Sequence, residues 1–443
     1  MRPPRRALDG LSRREFLIMT GVAATGLATG CATNPVTGKS QFMIIDEKQE
    51  IAVDRQQSPH QFSADYGNVQ DRTLQDYIAA TGSRVATTTH RRHMPYNFHC
   101  VNANYVNAYA FPGGSIACTR GILLELDNEA ELAALLGHEL GHVNARHTAE
   151  IMSKAQLTSL AVGGLAVLTS AAVGSGAGNL AGQLGQLGSG ALLASYSRDN
   201  ERQADNLGME YMARAGYGPQ GMVGLMEMLN GMNTHKAGAA DLLFATHPMS
   251  AERYRTSVDM ATNDYRQYNG HPLHRERFMD HTTGLRKLKG PIKLMQDGET
   301  AMGREQYSQA EALFRQALDQ APDDYTGLLL MAKCQLVQNK DDAAARYADR
   351  AKQVYPDEAQ AYHISGITHI RNKQYDAAHE DFSIYERRLP GNPNTTFFKG
   401  LSLEGMQRID AAARAYHAYL QQVRQGRQAQ YAYSRLKEWG YLK

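Results

Sequence analysis

Apolar side chains recur at helical spacing along much of the chain and alternate like strands in only one short region. Residues Val69–Val85 have the three-to-four-residue spacing of a helix, and so does the apolar stretch Leu132–Val143. Between them, Tyr96–Val101 alternates like a strand, and Tyr109–Thr119 has the pattern of a turn followed by a strand. The pattern predicts a mainly α (α+β) domain with a small sheet ahead of its central helix.

The C-terminal third repeats with a period of 34 residues. The repeat is visible in Pro322, Pro356 and Pro390, in Ala310, Ala344, Ala378 and Ala412, in Gly298, Ala332, Gly366 and Gly400, and in bulky Phe314, Phe382 and Tyr416. This period, with small residues where helices touch, resembles tetratricopeptide repeats, which stack into an α-solenoid with a concave binding surface. Four repeats fit residues 291–426, and 427–443 resembles a capping helix. The repeats are predicted to bind proteins or peptides; the alternative is that they only pack against the preceding domain.

The N-terminus has the features of an export signal. Basic residues precede a short apolar run, Arg13-Arg14 resembles a twin-arginine signal, and the residues before Cys31 resemble the lipobox of a bacterial lipoprotein. Lipidation of Cys31 would hold the protein on a membrane, and Ala32 after it favours the outer membrane. The alternative is an ordinary cleaved signal with an incidental cysteine. Residues 31–60 show little periodicity and are predicted to be a tether.

Length and composition narrow the class of protein. A chain of 443 residues is long enough for two or three domains. Lys plus Arg number 47 and Asp plus Glu 45, so no strong field favours nucleic acid as a partner. Cys100 and Cys118 lie in neighbouring predicted strands, where they could form a disulfide or remain buried thiols, and Cys334 is left over.

The central helix carries His138-Glu139-Leu140-Gly141-His142. Two histidines four residues apart lie on one helical face, so both imidazoles can bind one zinc ion, and Glu139 can reach a water on the same ion. The alternative is a pair of surface histidines beside a solvated glutamate. The helix is expected to continue to His147, which would then be turned about 140° from His142; His147 is interpreted as structural.

A second helical stretch supplies acidic residues one turn apart. Glu201 can complete the ligand set of a single zinc ion, while Asp205 can accept a hydrogen bond from a ligating imidazole. The fourth coordination position would stay open for water. The alternative is a solvated acidic pair.

Two further segments are candidates for contact with a substrate or a membrane. Pro112 cannot donate to a sheet, so its segment is predicted to be an edge that an extended peptide could join as a strand; the alternative is a merely exposed edge. The Gly-rich residues 163–190 are either a surface insertion, a mobile lid or a membrane-touching loop.

Residues 69–260 are similar to metallopeptidase family forty-eight, the relatives of HtpX, Oma and the CAAX-prenyl endopeptidases, in the lipoprotein form that carries C-terminal tetratricopeptide repeats. The resemblance rests on Asn107–Gly114, His138–His142, Glu201 with Asp205, and Thr246-His247-Pro248 with Arg253. It implies a zincin-type fold and a site composed of zinc ligands His138, His142 and Glu201, base Glu139, orienting Asp205, active-site His247 and Arg253, and substrate-binding Asn107, Ala108, Tyr109 and Ala110. By the same resemblance, His247 and Arg253 stabilise the oxyanion, or His247 occupies the open zinc position in a resting state.

These features predict a lipid-anchored periplasmic zinc metalloendopeptidase that cleaves envelope proteins in quality control of outer-membrane proteins. The alternative function is a chaperone or assembly adaptor for outer-membrane proteins with a latent protease site. The predicted partners are protein substrates, an outer-membrane protein or its assembly machinery, and the membrane itself. The expected domains are a signal peptide (1–30), a lipidated tether (31–60), a zinc metalloprotease domain (61–270), a linker (271–290) and a repeat domain (291–443).

Overall fold

A computed structural model describes residues 31–161, 195–233 and 238–442. The predicted signal peptide lies outside these residues, and so does the Gly-rich segment 163–190. Within the described ranges, every helix is too short or too polar to cross a bilayer. The fold class is as predicted, a mainly helical domain with a small sheet followed by a helical repeat array.

The N-terminal part consists of two small sheets and three helices ahead of the central helix. The strands are β1 (Cys31–Thr33), β2 (Ser40–Phe42), β3 (Asn97–Val101), β4 (Ala108–Ala110) and β5 (Ser115–Thr119). The helices around them are α1 (Glu47–Ala64), α2 (Arg72–Ala86) and α3 (Arg120–Leu123). Strands β1 and β2 form an antiparallel hairpin, and the other three strands form one sheet.

The three-stranded sheet places β5 between β3 and β4. Strand β3 runs parallel to β5 and β4 antiparallel, so β4 is an edge strand beside the central helix. Cys100 and Cys118 are direct neighbours in the β3–β5 register. Both are buried free thiols, as is Cys334, so the structure contains the second of the two predicted alternatives for these cysteines.

Helices account for the rest of the N-terminal domain. They are α4 (Glu129–Ala145), α5 (His147–Ala161), α6 (Arg198–Arg214), α7 (Gln220–Asn233), α8 (Asp241–Thr246), α9 (Ala251–Thr262) and α10 (Arg275–Lys287). Helix α4 begins where the Asn128 side chain accepts a hydrogen bond from the Glu131 amide, and every one of its residues is buried. It is therefore the centre of the domain, covered on all sides by other elements.

The predicted tether at residues 31–60 is wrong, because most of it is ordered secondary structure. Helix α1 is closed by a capping box between Asp46 and Gln49, and its buried side chains are polar, including Glu50, Asp54 and Ser58. Buried polar residues produce no hydrophobic periodicity. The sequence pattern therefore gave no signal for this helix.

The expected continuation of the central helix to His147 is also wrong. Helix α4 ends at Ala145, Arg146 adopts a left-handed conformation with φ of 60°, and α5 begins at His147. The turn is held by the N-terminal segment: Arg146 donates to Glu50 and to the Ile45 carbonyl. Such contacts between residues distant in sequence offset the cost of a left-handed non-glycine residue.

The C-terminal helices follow the predicted 34-residue register. They are α11 (Lys289–Gly303), α12 (Tyr307–Gln320), α13 (Tyr325–Val337), α14 (Asp341–Val354), α15 (Gln360–Arg371), α16 (Tyr375–Arg388), α17 (Pro393–Gly405), α18 (Ile409–Gln422) and the capping helix α19 (Arg427–Glu438). A Cβ on Gly298 would lie 2.4 Å from the Phe314 ring, and one on Gly366 would lie 2.7 Å from Phe382. The repeated glycine therefore makes room for the repeated aromatic ring.

The N-terminal domain and the repeats share an interface that includes several hydrogen bonds. The predicted linker at 271–290 is mostly helix α10, which leads directly into α11. Asn104 donates to Glu299 of α11, Thr326 of α13 donates to the Asn102 carbonyl, and Ser63 of α1 donates to Glu358. Helices α11 and α13 and the turn before α15 therefore contact the N-terminal domain.

Arg120 and Asp324 form the ion pair at the centre of this interface. Arg120 Nη1 lies 2.7 Å from Asp324 Oδ2, Arg120 Nη2 lies 3.0 Å from Asp324 Oδ1, and both side chains are almost fully buried. Replacing Asp324 by Ala would leave a buried guanidinium without its counter-charge. We expect Asp324→Ala to lower the free energy of unfolding by about 3–5 kcal/mol, measured by chemical denaturation.

The neighbouring Asp323 provides a matched control. Asp323 pairs with Arg350, and both side chains are at least half exposed. Asp323→Ala is expected to cost less than about 1 kcal/mol. Equal effects of the two substitutions would contradict the importance of the buried pair.

Candidate active site

Helices α4 and α6 cross closely because small residues face each other. A Cβ on Gly141 would lie 3.0 Å from the Ala204 Cα, and one on Gly208 would lie 2.9 Å from the His138 backbone nitrogen. A larger side chain at either glycine would push the helices apart. The crossing brings the acidic residues of α6 against the histidines of α4.

Four buried side chains converge at this crossing. They are His138, His142, Glu201 and His247, and one ligand atom from each lies within 4.8 Å of the others. The Nε2 atoms of His138 and His142 are 3.1 Å apart, and Glu201 Oε1 lies 3.3 Å from His142 Nε2. The structure therefore brings together the three predicted ligands. Their ligand role stays a prediction.

The donor set fits a tetrahedral divalent ion. Ligand atoms about 2.0–2.1 Å from zinc are separated by roughly 3.3 Å at the tetrahedral angle, close to the distances between these side chains. Burial holds the pKa of His142 well below its usual range, which favours the neutral imidazole that binds metal. Burial alone would raise the pKa of Glu201, but nearby His247 and His142 hold it well below its usual range, so this carboxylate is ionised.

Glu139 lies at the edge of the cluster. Its side chain is buried, and within the described part of the chain its Oε2 atom has no hydrogen-bond partner. Burial raises the pKa of Glu139 above its usual value. A carboxylate with a free oxygen and a raised pKa is suited to accept a proton from water and to release it again.

His247 is the fourth side chain of the cluster. Its Nδ1 atom lies 3.1 Å from Glu201 Oε1 and 3.5 Å from His138 Nε2. Burial opposes protonation of His247, but the carboxylates of Glu201 and Glu139 outweigh it and raise its pKa. This placement is consistent with the resting-state alternative for His247, which stays a prediction.

Arg253 joins the two carboxylates of α6. Its Nε and Nη2 atoms donate to the two oxygens of Asp205, and Nη1 lies 2.7 Å from Glu201 Oε2. Asp205 Oδ1 also lies 2.9 Å from His138 Nδ1. Each guanidinium nitrogen thus faces a carboxylate. The geometry supports a role in holding Glu201 and Asp205, and the expected oxyanion role remains a prediction.

Two aromatic residues that contact His142 were not recognised as site residues from the sequence. Tyr196 stacks on the His142 ring with centroids 3.8 Å apart, and its hydroxyl pairs with Thr148. His147 Nδ1 lies 2.9 Å from His142 Nδ1. Tyr196 belongs to no motif, so no local signal identifies it. For His147, the assumption of a continuous helix placed it on the wrong face.

The edge strand β4 presents backbone groups of the predicted substrate-binding segment. The Thr119 amide donates to Asn107 and the Phe111 amide donates to Ser115, so by alternation the N–H and C=O groups of Ala108 and Ala110 point away from β5. The phenol of Tyr109 donates to Asp65 on the far side. Ala108 and Ala110 are therefore the positions at which an added strand would pair.

A small apolar cavity adjoins His138 and Glu139. Its interior volume is about 20 Å³, room for roughly one water molecule. The apolar side chains that line it include Ile122, Leu135, Leu225, Leu229, Leu243 and Phe244. Leu243 and Phe244 belong to α8, which immediately precedes His247.

Two imidazoles from one helix, a glutamate from a second helix and a free carboxylate beside them define the metallopeptidase class. Comparison with protein families agrees. Residues 72–260 match the model described as peptidase family M48, and residues 301–364 match the tetratricopeptide repeat model. Residues 72–260 are therefore a metallopeptidase domain that matches family M48, and tetratricopeptide repeats follow it.

Several proteins that are similar to this chain are named as proteases. A beta-barrel assembly-enhancing protease of Yersinia pestis is 27% identical over 429 residues, which cover 90% of this chain and 86% of that protein. The protein of the same name in Escherichia coli (strain K12) is 28% identical over 237 residues, covering 53% of this chain and 48% of that protein. Metalloprotease YcaL of Escherichia coli (strain K12) is 33% identical over 159 residues, covering 36% of this chain and 59% of that protein.

Asp205 provides a test of the site that does not depend on catalysis. Asp205→Asn would weaken the contact with His138 Nδ1 and the ion pair with Arg253, so we expect zinc affinity to fall about 10–100-fold. Competition with a chromogenic chelator measures the change. Asp199→Asn is the control, because Asp199 lies on the same helix with an exposed side chain. Unchanged affinity in Asp205→Asn would contradict the orienting role.

Proposed function

We propose that the chain is a zinc endopeptidase of the bacterial envelope that acts on outer-membrane proteins and is anchored by a lipid on Cys31. The observation that carries the catalytic part is the convergence of His138, His142 and Glu201, with Glu139 beside them. One zinc ion per chain fits the one such cluster found in the described part of the chain. The envelope location rests on the export signal, the lipobox and the names of the relatives from Yersinia pestis and Escherichia coli.

Glu139 is the proposed proton carrier of the reaction. Zinc in such a site supplies a Lewis acid that polarises a peptide carbonyl and lowers the pKa of water. Glu139 accepts the proton from the attacking water and donates it to the leaving amine. Arg253 and Asp205 hold Glu201 and His138 in place during these steps, because both carboxylates are fixed by the same guanidinium.

The substrate is proposed to bind as an extended strand along β4. The outward backbone groups of Ala108 and Ala110 supply donors and acceptors for this pairing. An apolar side chain of the substrate would enter the cavity beside Glu139. With a volume of about 20 Å³, the cavity admits such a side chain only after its walls move.

The structure supports a closed resting arrangement. His247 contacts Glu201 and His138, and the preceding helix α8 supplies Leu243 and Phe244 to the cavity wall. The Val106 amide also donates to the Ala239 carbonyl, so the segment before α8 lies beside the start of the edge strand. A single displacement of residues 238–247 would therefore expose the edge strand β4, open the cavity beside Glu139 and vacate the fourth position of the cluster.

The repeats are proposed to dock client proteins through the surfaces that the protease domain leaves open. Glu299, Thr326 and Glu358, all in the first two repeats, are occupied by contacts with the protease domain. The later helices α17 to α19 form a separate hydrophobic cluster. Clients held by the repeats would be close to the protease domain, because the contacts of Glu299, Thr326 and Glu358 fix the repeats against it.

The catalytic proposal predicts that loss of the Glu139 carboxylate reduces substrate cleavage and leaves zinc binding unchanged. Glu139→Gln removes the proton acceptor and keeps the shape of the side chain, so we expect cleavage of an unfolded outer-membrane protein to fall by at least about 10²-fold. Zinc content, measured by elemental analysis, should remain one ion per chain. Normal turnover by this variant would contradict the mechanism.

The same variant tests the alternative function. The closed cavity favours a site that is silent at rest, which is what an assembly adaptor with a latent protease would have. Restoration of envelope integrity by Glu139→Gln in cells that lack the protein would support the adaptor. Failure of Glu139→Gln where the parent protein succeeds would support the protease.

The edge-strand proposal predicts sensitivity to the loss of one amide. Ala110→Pro removes an N–H that points away from β5, so the sheet is kept while one hydrogen bond to the substrate is lost. We expect kcat/KM to fall about tenfold, with zinc content unchanged. Ala110→Ser keeps the amide and is the control. Equal activities of the two variants would contradict strand addition.

A further inference from the structure

The non-ligating side of His142 faces a second imidazole. His147 Nδ1 lies 2.9 Å from His142 Nδ1, and His147 Nε2 lies 3.1 Å from Gln203 Oε1. Both histidines are buried, with 1% of their surface exposed. The second contact returns to α6, the helix that carries Glu201. His147 therefore connects the two helices that supply the cluster.

The direction of these hydrogen bonds follows from the chemistry of the site. His142 Nε2 faces His138 Nε2 and Glu201, so it is the nitrogen that would bind the metal. In a neutral imidazole the other nitrogen, Nδ1, then carries the proton and donates. His147 Nδ1 must accept this bond, which leaves its proton on Nε2. That proton is donated to the side-chain oxygen of Gln203.

We propose that His147 is a positioning residue of the metal centre, which fixes the ring orientation and tautomer of His142 by accepting a hydrogen bond from its Nδ1 atom. This inference rests on the zinc site of the proposed function. His138 has the carboxylate of Asp205 on its corresponding nitrogen, whereas His142 has a neutral imidazole. A carboxylate therefore orients His138, whereas a neutral imidazole orients His142. Gln203 completes the arrangement by fixing the tautomer of His147.

The helix break at Arg146 is what makes this contact possible. In an uninterrupted helix, His147 would be turned about 140° from His142. The left-handed Arg146 redirects the chain, and the N-terminal segment secures the turn: Asn34 and Gln41 both donate to the Ala145 carbonyl, and Glu50 accepts from Arg146. The left-handed turn at Arg146 thus directs the His147 side chain towards His142.

Two substitutions at His147 separate hydrogen bonding from packing. In His147→Asn, the amide oxygen can take the place of Nδ1 and accept the bond, whereas His147→Leu fills the space without an acceptor. Zinc affinity of the full chain is measured by competition with a chromogenic chelator. We expect His147→Leu to bind zinc about 10–100-fold more weakly and His147→Asn to stay within about threefold of the parent protein.

A spectroscopic measurement reports on the ligand itself. With Co²⁺ in place of zinc, the visible absorption depends on the geometry of the ligands. We expect His147→Leu to shift or weaken these bands and His147→Asn to preserve them. The control is His363→Leu, which removes another buried histidine, in the repeat domain, away from the cluster. It should leave zinc affinity and the Co²⁺ spectrum unchanged.

The outcomes distinguish this inference from the proposed function. If the parent protein binds zinc and His147→Leu binds it equally well, the positioning role is wrong while the metal site stands. If His147→Asn loses as much affinity as His147→Leu, acceptance of a hydrogen bond is not the role of His147. A parent protein that binds no zinc overturns the metal site and this inference together.

A second variant keeps the test valid if His147→Leu does not fold. Gln203→Met removes the hydrogen-bond acceptor that fixes the tautomer of His147, and it leaves both histidines in the sequence. We expect a smaller loss of zinc affinity, about threefold to tenfold, with a change in the Co²⁺ spectrum. Parental affinity together with a parental spectrum would overturn the proposal.

Discussion

The close crossing of α4 and α6 is the constraint on which the active site depends. Gly141 and Gly208 allow the two backbones to approach until a Cβ on either would lie within about 3 Å of the other helix. Only at this separation can a carboxylate as short as Glu201 reach the histidines of the facing helix. The crossing also lets Gln203 reach His147 and Asp205 reach His138. Gly141 and Gly208 therefore matter as much to the site as the predicted metal ligands do.

The crossing places an unusual amount of charge in the interior, and the charges compensate one another. Glu201 and Asp205 are both buried and both ionised, because charged partners outweigh the effect of burial on their pKa values: chiefly Arg253 for Asp205, and chiefly His247 for Glu201. Removing one member of such a group leaves another without its partner, which costs more than the lost contact alone. A metal ion would add positive charge to the same group. Metal binding and the stability of this region are therefore expected to be linked.

The sequence predicted the parts of the structure that depend on local spacing. The paired histidines, Glu201 with Asp205, and the 34-residue repeat are all set by distances along a helix, so their register could be derived from the chain alone. Tyr196, the turn at Arg146 and helix α1 could not be derived in this way. Tyr196 is a site residue only because the fold stacks it on His142. Arg146 adopts its conformation because Glu50, far away in sequence, binds it, and α1 buries polar side chains that produce no hydrophobic pattern.

Helix α1 connects regions that the sequence presented as separate modules. Near its start, Glu50 holds the turn that directs His147 towards His142. In its middle, Asp54 accepts a hydrogen bond from the Ser115 amide, where β5 begins. Near its end, Ser63 donates a hydrogen bond to Glu358 in the repeats. A helix of 18 residues is about 27 Å long, so these contacts span much of the domain. One rigid element therefore contacts the turn at Arg146, the start of β5 and the repeat array. The segment predicted to be a tether is therefore an integral part of the packing of both halves of the fold.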